Sequence, residues 1–213
     1  MNIFVTGGTG YIGRHLIPEL AGRGHTVRAL VRAGSERKLP QGATAVHGDA
    51  LDASTFIEAI APGDTFVQLV GVAHPSPAKA AQFRAIDLVS VTQSASAAAR
   101  AGVRHFIYLS VAQPAPIMRE YVAVRAEGER VLRDTNLPST FIRPWYVLGP
   151  GHRWPYAILP FYWLAMLSPK SGETARRLYP VTLANVVRAI AYAVEHPVAA
   201  RARIIENPEL RRF

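Results

Sequence analysis

The chain has no cysteine among its 213 residues. That removes disulfides, thiolate metal sites and cysteine nucleophiles together, although it does not assign a compartment. Acidic residues are scarce: 15 Asp and Glu stand against 24 Lys and Arg, for a net charge of +9. A basic surface attracts nucleic acid, anionic membrane or anionic ligands. The arginines are dispersed, however, and no basic run is interleaved with aromatics, so no nucleic-acid partner is expected. The seven histidines are scattered, with no pair at the helical spacing of metal ligands, so no metal is expected. Ser110 lacks a Gly-x-Ser-x-Gly elbow, which argues against a serine hydrolase. No secretory signal precedes Met1–Val5, which runs straight into a core-like strand, so the cytoplasm is the expected location. No internal repeat or low-complexity tract occurs.

What is present is a globular composition, 49% hydrophobic and 18% charged. Apolar runs alternate with helical patterns. Strands are expected at Ile3–Thr6, Thr26–Val31, Ala43–His47, Thr65–Val70, Arg104–Leu109 and Thr140–Ile142. Helices are expected at Tyr11–Gly22, Ala53–Ile60, Ala78–Ala101 and Tyr121–Asp134. Strands separated by helices give right-handed crossovers and a parallel sheet. The fold class is therefore α/β, a doubly wound parallel sheet of the Rossmann type with a small C-terminal cap. Residues 1–150 read as the dinucleotide-binding domain. Residues 151–213 read as a cap and closing helix of the same globular unit.

The chemistry begins at Gly7-Gly8-Thr9-Gly10-Tyr11-Ile12-Gly13, between the first strand and the first helix. One glycine makes the tight turn, one admits a pyrophosphate to the backbone, and one lets helix pack on strand. The helix start offers free N–H groups and a positive dipole end to phosphates. An acid about 20 residues further on would hold the ribose hydroxyls of NAD. The second strand instead ends in Arg32, with Ser35, Arg37 and Lys38 close behind. A guanidinium can fork onto a 2′-phosphate, so NADP(H) is the expected cofactor, with NAD(H) as the alternative.

From Met1 to about Arg153 these motifs resemble the extended and atypical short-chain dehydrogenase/reductases. The resemblance rests on five segments: Thr6–Gly13, His47-Gly48-Asp49-Ala50-Leu51-Asp52, Leu69-Val70-Gly71, Ala101–Ser110, and Phe141-Ile142-Arg143-Pro144 with Leu148–Gly151. It is nearest to the atypical branch, which includes NmrA-like regulators and proteins akin to the NADPH-binding accessory subunit of respiratory complex I. The resemblance implies that Asp49 and Ala50 meet the adenine, Val70 and Gly71 the nicotinamide ribose, and Pro144 the nicotinamide. It implies that Gly7, Thr9, Gly10, Tyr11, Ile12 and Gly13 form the phosphate turn. Ser110 would hold the substrate oxygen.

Two departures stand out. The family's Tyr-x-x-x-Lys is here Tyr121-Val122-Ala123-Val124-Arg125. The i, i+4 spacing keeps both side chains on one helix face. Arg125 can supply charge and ribose hydrogen bonds but stays protonated and so relays no proton. The asparagine expected early in the long helix is Asp87. The expected function is an NADP(H)-dependent oxidoreductase reducing an apolar carbonyl compound, with Ser110, Tyr121 and Arg125 at the reaction. The alternative is a cofactor-binding regulator or scaffold without turnover. An NAD-dependent epimerase or dehydratase is disfavoured, because little chain remains for a sugar-nucleotide site.

Trp154–Leu167 is rich in aromatics, too short and proline-broken to span a bilayer, and flanked by His152, Arg153, Lys170, Arg176 and Arg177. Three readings stay open: a cap that makes the substrate pocket apolar, a dimer contact, or a segment resting on a membrane surface. The protein is expected to be a monomer or a homodimer. His74, after the Gly71 loop, either faces the nicotinamide or is a solvated loop residue.

Overall fold

The computed structural model describes residues 1–151, 154–199 and 202–213. Strands β1 (Asn2–Thr6), β2 (Thr26–Val31), β3 (Ala43–His47), β4 (Thr65–Gln68), β5 (His105–Leu109), β6 (Ser139–Arg143) and β9 (Ala202–Glu206) build one sheet. Its order is β3-β2-β1-β4-β5-β6-β9, and every pairing is parallel. Two short strands, β7 (Val147–Leu148) and β8 (Val181–Thr182), pair beside it. The chain leaves β1 for one side and β4 for the other, so the switch in strand order falls between β1 and β4, where α/β sheets bind ligands.

Alternation along the strands sorts side chains into two cores. Ile3, Val5, Val67 and Ile107 face helices α1 (Gly13–Gly22) and α7 (Leu183–Glu195). Phe4, Phe66 and Phe106, neighbours in register, face the other layer. Phe66 and Phe106 stack with centroids 4.9 Å apart. That second layer begins with the short α2 (Ala80–Gln82) and a π-helical turn Phe83–Leu88, continues as α3 (Val89–Arg100), and is completed by α4 (Arg119–Asp134). Helix α7 is capped by the Thr182 hydroxyl, which accepts from the Asn185 amide. Its buried Leu183, Val186, Val187, Ile190 and Val194 form one stripe. Helices α5 (Leu159–Met166), α6 (Gly172–Arg177) and α8 (Asn207–Leu210) complete the C-terminal region.

The structure differs from these expectations at several elements. The single helix expected over Ala78–Ala101 is a 3-10 turn, Pro77–Lys79, followed by α2, the π-helical turn and α3. The helix expected over Ala53–Ile60 is a pair of 3-10 turns, Ala53–Thr55 and Ile57–Ala59. Phe56, at φ −141°, interrupts them and turns its ring into the core. Strand β9 went unread because five residues, Ala202-Arg203-Ile204-Ile205-Glu206, carry only two adjacent large apolar side chains. Its partner β6 is what makes it a strand, which is tertiary information.

Candidate functional site

The turn after β1 is built so that only glycine fits. Gly7 has φ +77°, and a Cβ there would lie 2.8 Å from the Leu69 carbonyl carbon. At Gly13 a Cβ would lie 2.5 Å from the Gly7 oxygen, so strand and helix touch backbone to backbone. At Gly10 it would meet only the Gly7 oxygen, at 3.1 Å, and its outer side is open. The Ile12 and Gly13 amides have no acceptor among the described residues. Thr9 is half-buried beside them. Two open donors at a helix start and a backbone that a ligand can approach are what a phosphate-binding turn requires. Tyr11 packs at its rim, where a Cβ on Gly149 would fall 2.5 Å from the phenol oxygen. Burial first, and Tyr156 second, raise the Tyr11 pKa above its ordinary value.

The other predicted cofactor positions follow the ends of neighbouring strands. Arg32 is exposed just past β2, and its side chain has no partner among the described residues. Arg37 and Lys38 are also exposed. Asp49 is exposed past β3, and its carboxylate accepts from the Leu51 amide at 3.0 Å. Ala50 is half-buried in the Phe66 core. Val70 follows β4 and donates to Gln68 Oε1 at 3.3 Å. Pro144 is buried past β6, its carbonyl accepting from Ala112. His74 lies exposed on the loop after Gly71, with φ 50°.

At the end where the nicotinamide is expected, the nicotinamide end, the polar side chains are already occupied. Arg125 is 3% exposed. It donates to the Leu109 carbonyl at 2.8 Å and to Asp87 Oδ1 at 2.7 Å. Its guanidinium also lies over the rings of Tyr121, at 5.2 Å, and Tyr108, at 5.7 Å. Gly71 exists for this group: a Cβ there would lie 2.0 Å from an Arg125 terminal nitrogen. Burial opposes the Arg125 charge, but Tyr121, Tyr108 and Asp87 outweigh it, so its pKa lies above the ordinary value. Asp87 is pushed upward by burial against the pull of Arg125 and the Val72 amide. Its second oxygen accepts from Val72 at 3.0 Å. A polar chain continues inward: the Asp87 carbonyl accepts from Ser90, Ser90 accepts from Gln68 at 3.1 Å, and Gln68 Oε1 accepts from Thr6 at the foot of the glycine turn.

Ser110 is 3% exposed and gives its hydroxyl proton to Glu129 Oε1 at 2.7 Å. The proton that would hold a substrate oxygen is therefore directed into the protein. Glu129 is the centre of a cluster that sequence reasoning missed. It also accepts from Gln113 at 2.8 Å, from Arg133 at 3.1 Å, and from Arg143 through two bonds of 2.8 and 2.6 Å. Arg143 reaches on to Glu206 of β9 at 2.7 Å. The available signal was position: Tyr121, Arg125 and Glu129 recur every four residues on one face of α4. Tyr121 is half-buried, edge-on to Phe83 at 5.0 Å. The structure thus brings Gly71, Arg125 and Tyr121 together and turns Ser110 away toward Glu129.

The stretch Trp154–Leu167 becomes a 3-10 turn, Trp154–Ile158, followed by α5. Its flanking His152 and Arg153 lie outside the described residues. Tyr162 holds α5 near the end of β6 by accepting from Trp145 Nε1 at 2.9 Å. Among the described residues, no helix is long and apolar enough to cross a membrane.

Comparison with known proteins places the chain among dinucleotide-binding proteins. The chain is 25% identical over 213 residues to the ceramide reductase of Caulobacter vibrioides, covering 99% of itself and 65% of that protein. It is 27% identical over 171 residues to the 4-hydroxy-2-methyl-3-oxo-4-farnesyl-3,4-dihydroquinoline-1-oxide ketoreductase of Stigmatella aurantiaca, covering 70% of itself and 51% of that protein. It therefore spans less than two thirds of the length of these relatives. The enzyme WbmH of Bordetella bronchiseptica, solved in complex with NAD+, superposes with a TM-score of 0.71 at 21% identity, over 96% of this chain and 75% of that one. That likeness shares the Rossmann fold. Residues 7–160 match the NAD(P)H-binding family, and the chain belongs to that family.

Proposed function

We propose that this protein is an NADP(H)-dependent reductase acting on an apolar carbonyl compound. The observation that carries the reading is the contact of one buried guanidinium, Arg125, with both Gly71 and the Tyr121 ring at the carboxyl edge of the sheet. The glycine turn fits a pyrophosphate, and the unpartnered Arg32 suits a 2′-phosphate. When bound, NADPH supplies a hydride. Tyr121 delivers the matching proton from its phenol, the only hydroxyl of the expected pair not committed to a buried carboxylate. Arg125 fixes the Gly71 loop and places a positive charge under the phenol ring. The two relatives named above are called a reductase and a ketoreductase, one named for a ceramide and the other for a farnesyl-bearing compound, which supports reductive chemistry on an apolar molecule.

A second reading, cofactor binding without turnover, is favoured by two bonds: Ser110 to Glu129, and Arg125 to Asp87. NADPH oxidation across a panel of long-chain ketones, aldehydes and enones separates the two. Under the first reading the wild type turns over at least one class, and Tyr121→Phe lowers kcat by roughly 100- to 10,000-fold. Tight NADPH binding with no oxidation anywhere in the panel gives the second reading the field.

A further inference from the structure

Helix α5 is apolar on every side, Leu-Pro-Phe-Tyr-Trp-Leu-Ala-Met, yet it is not buried. Phe161 is 71% exposed, Trp163 59%, Leu164 69% and the following Leu167 82%. Soluble helices show one apolar stripe, and it faces the core. Here one side of α5 rests on the protein through Tyr162, and the rest faces solvent. Adjoining exposed apolar side chains of this kind, rimmed by polar residues, mark an interaction site. The Trp163 indole N–H is already held by the Tyr179 hydroxyl at 3.3 Å, so its ring stands out in a fixed pose.

The charge around it selects the occupant. Residues 145–194 contain one carboxylate, Glu173, against Arg153, Lys170, Arg176, Arg177 and Arg188. Lys170 and Arg176 are exposed beyond the end of α5, and Arg176 is tied there by its bond to the Met166 carbonyl at 3.1 Å. Apolar and aromatic side chains beside exposed cations, in a helix too short to cross a bilayer, form the pattern of an interfacial element on anionic lipid. A second copy of this chain would bring the same cations against each other.

We propose that α5 docks the protein on the surface of an anionic lipid bilayer, with Phe161, Trp163, Leu164 and Leu167 in the headgroup region. Trp145, next to Pro144 past the end of β6, donates to Tyr162 of α5 at 2.9 Å, so the docked face adjoins the carboxyl edge of the sheet. An apolar substrate can then pass from membrane to candidate site without crossing water. This last step rests on the reductase reading; the docking does not.

The test is co-sedimentation of the full chain with phosphatidylcholine vesicles and with vesicles that also contain phosphatidylglycerol. NADPH affinity is measured on every variant as a check of folding. The wild type should pellet with the anionic vesicles and about tenfold less with the neutral ones. Leu164→Glu, and separately Lys170→Glu with Arg176→Glu, should each lower binding about tenfold and leave NADPH affinity unchanged. Failure to pellet with anionic vesicles overturns the docking. So does a wild type that light scattering shows to be a dimer and that Leu164→Glu makes monomeric. Vesicle binding without any turnover keeps the docking and removes the reductase reading.

Discussion

The two ends of the candidate site are built on opposite principles. At the phosphate end, donors stand open: the Ile12 and Gly13 amides and the Arg32 guanidinium have no partner among the described residues. At the nicotinamide end, Arg125, Asp87, Ser110 and Glu129 are buried and paired with one another. Open donors cost little at a solvated surface and await a charged ligand. Buried charges are tolerable only when paired, and their pairing fixes geometry. One end therefore reads as recognition and the other as scaffold. A substitution should change affinity at the first and stability at the second.

The sharpest way to break that contrast is Asp87→Ala. It strands Arg125 without its carboxylate, and breaking a buried pair costs about 3–5 kcal/mol. Urea unfolding should show a loss of that order. A loss below about 1 kcal/mol would mean that Arg125 swings out to water and that the nicotinamide end is not rigid.

Acid comes next. His105, at the start of β5, is fully buried, and burial, then Arg203 and Arg104, lower its pKa to about 4. The native state thus prefers the neutral ring. Its contribution is complete above the ordinary value of 6.5 and is lost as pH falls through the folded value. With 1.36 kcal/mol per unit, this amounts to roughly 3 kcal/mol. Unfolding curves measured from pH 7 to pH 4 should show the decline, and His105→Gln should flatten it. Because His105 lies at the opposite end of the sheet from the candidate site, a parallel decline in NADPH affinity would reflect unfolding.

At the recognition end, Arg32→Ala should weaken NADPH binding by about 1.5–3 kcal/mol, the range for a charge-assisted bond. NADH binding and the unfolding midpoint should stay where they are. Equal loss for both cofactors would show that Arg32 meets something other than the 2′-phosphate.

The smallest effect is expected from Ser110→Ala. Its hydroxyl serves Glu129, which keeps four other bonds, so the stability cost should be about 1 kcal/mol and kcat should change only a few-fold. A hundredfold fall in kcat would show that Ser110 leaves Glu129 during turnover.

The phosphate end was legible in the sequence because its parts are contiguous. Seven residues carry the turn, and the strand and helix around them confirm it. The nicotinamide end was half legible. The spacing of Tyr121 and Arg125 placed both on one helix face, but the partners that decide their roles are distant. Asp87 lies 38 residues from Arg125, and Arg143 and Glu206 reach Glu129 only because β6 and β9 pair. Glu129 itself, set among Glu127, Arg130 and Arg133, reads like a solvated helix face until α4 is packed on the sheet.

The contact between Thr6 and Gln68 carries one more consequence. The inner strands are apolar on both faces, so hydrophobicity alone would accept β1 and β4 slipped past each other. Thr6 and Gln68 are register partners, and their side chains bond in the interior. A slip of one residue would leave both polar groups stranded in hydrocarbon. This pair therefore acts as an alignment key for the middle of the sheet. Replacing both by valine should leave a protein that is folded but can assemble its central strands in more than one offset.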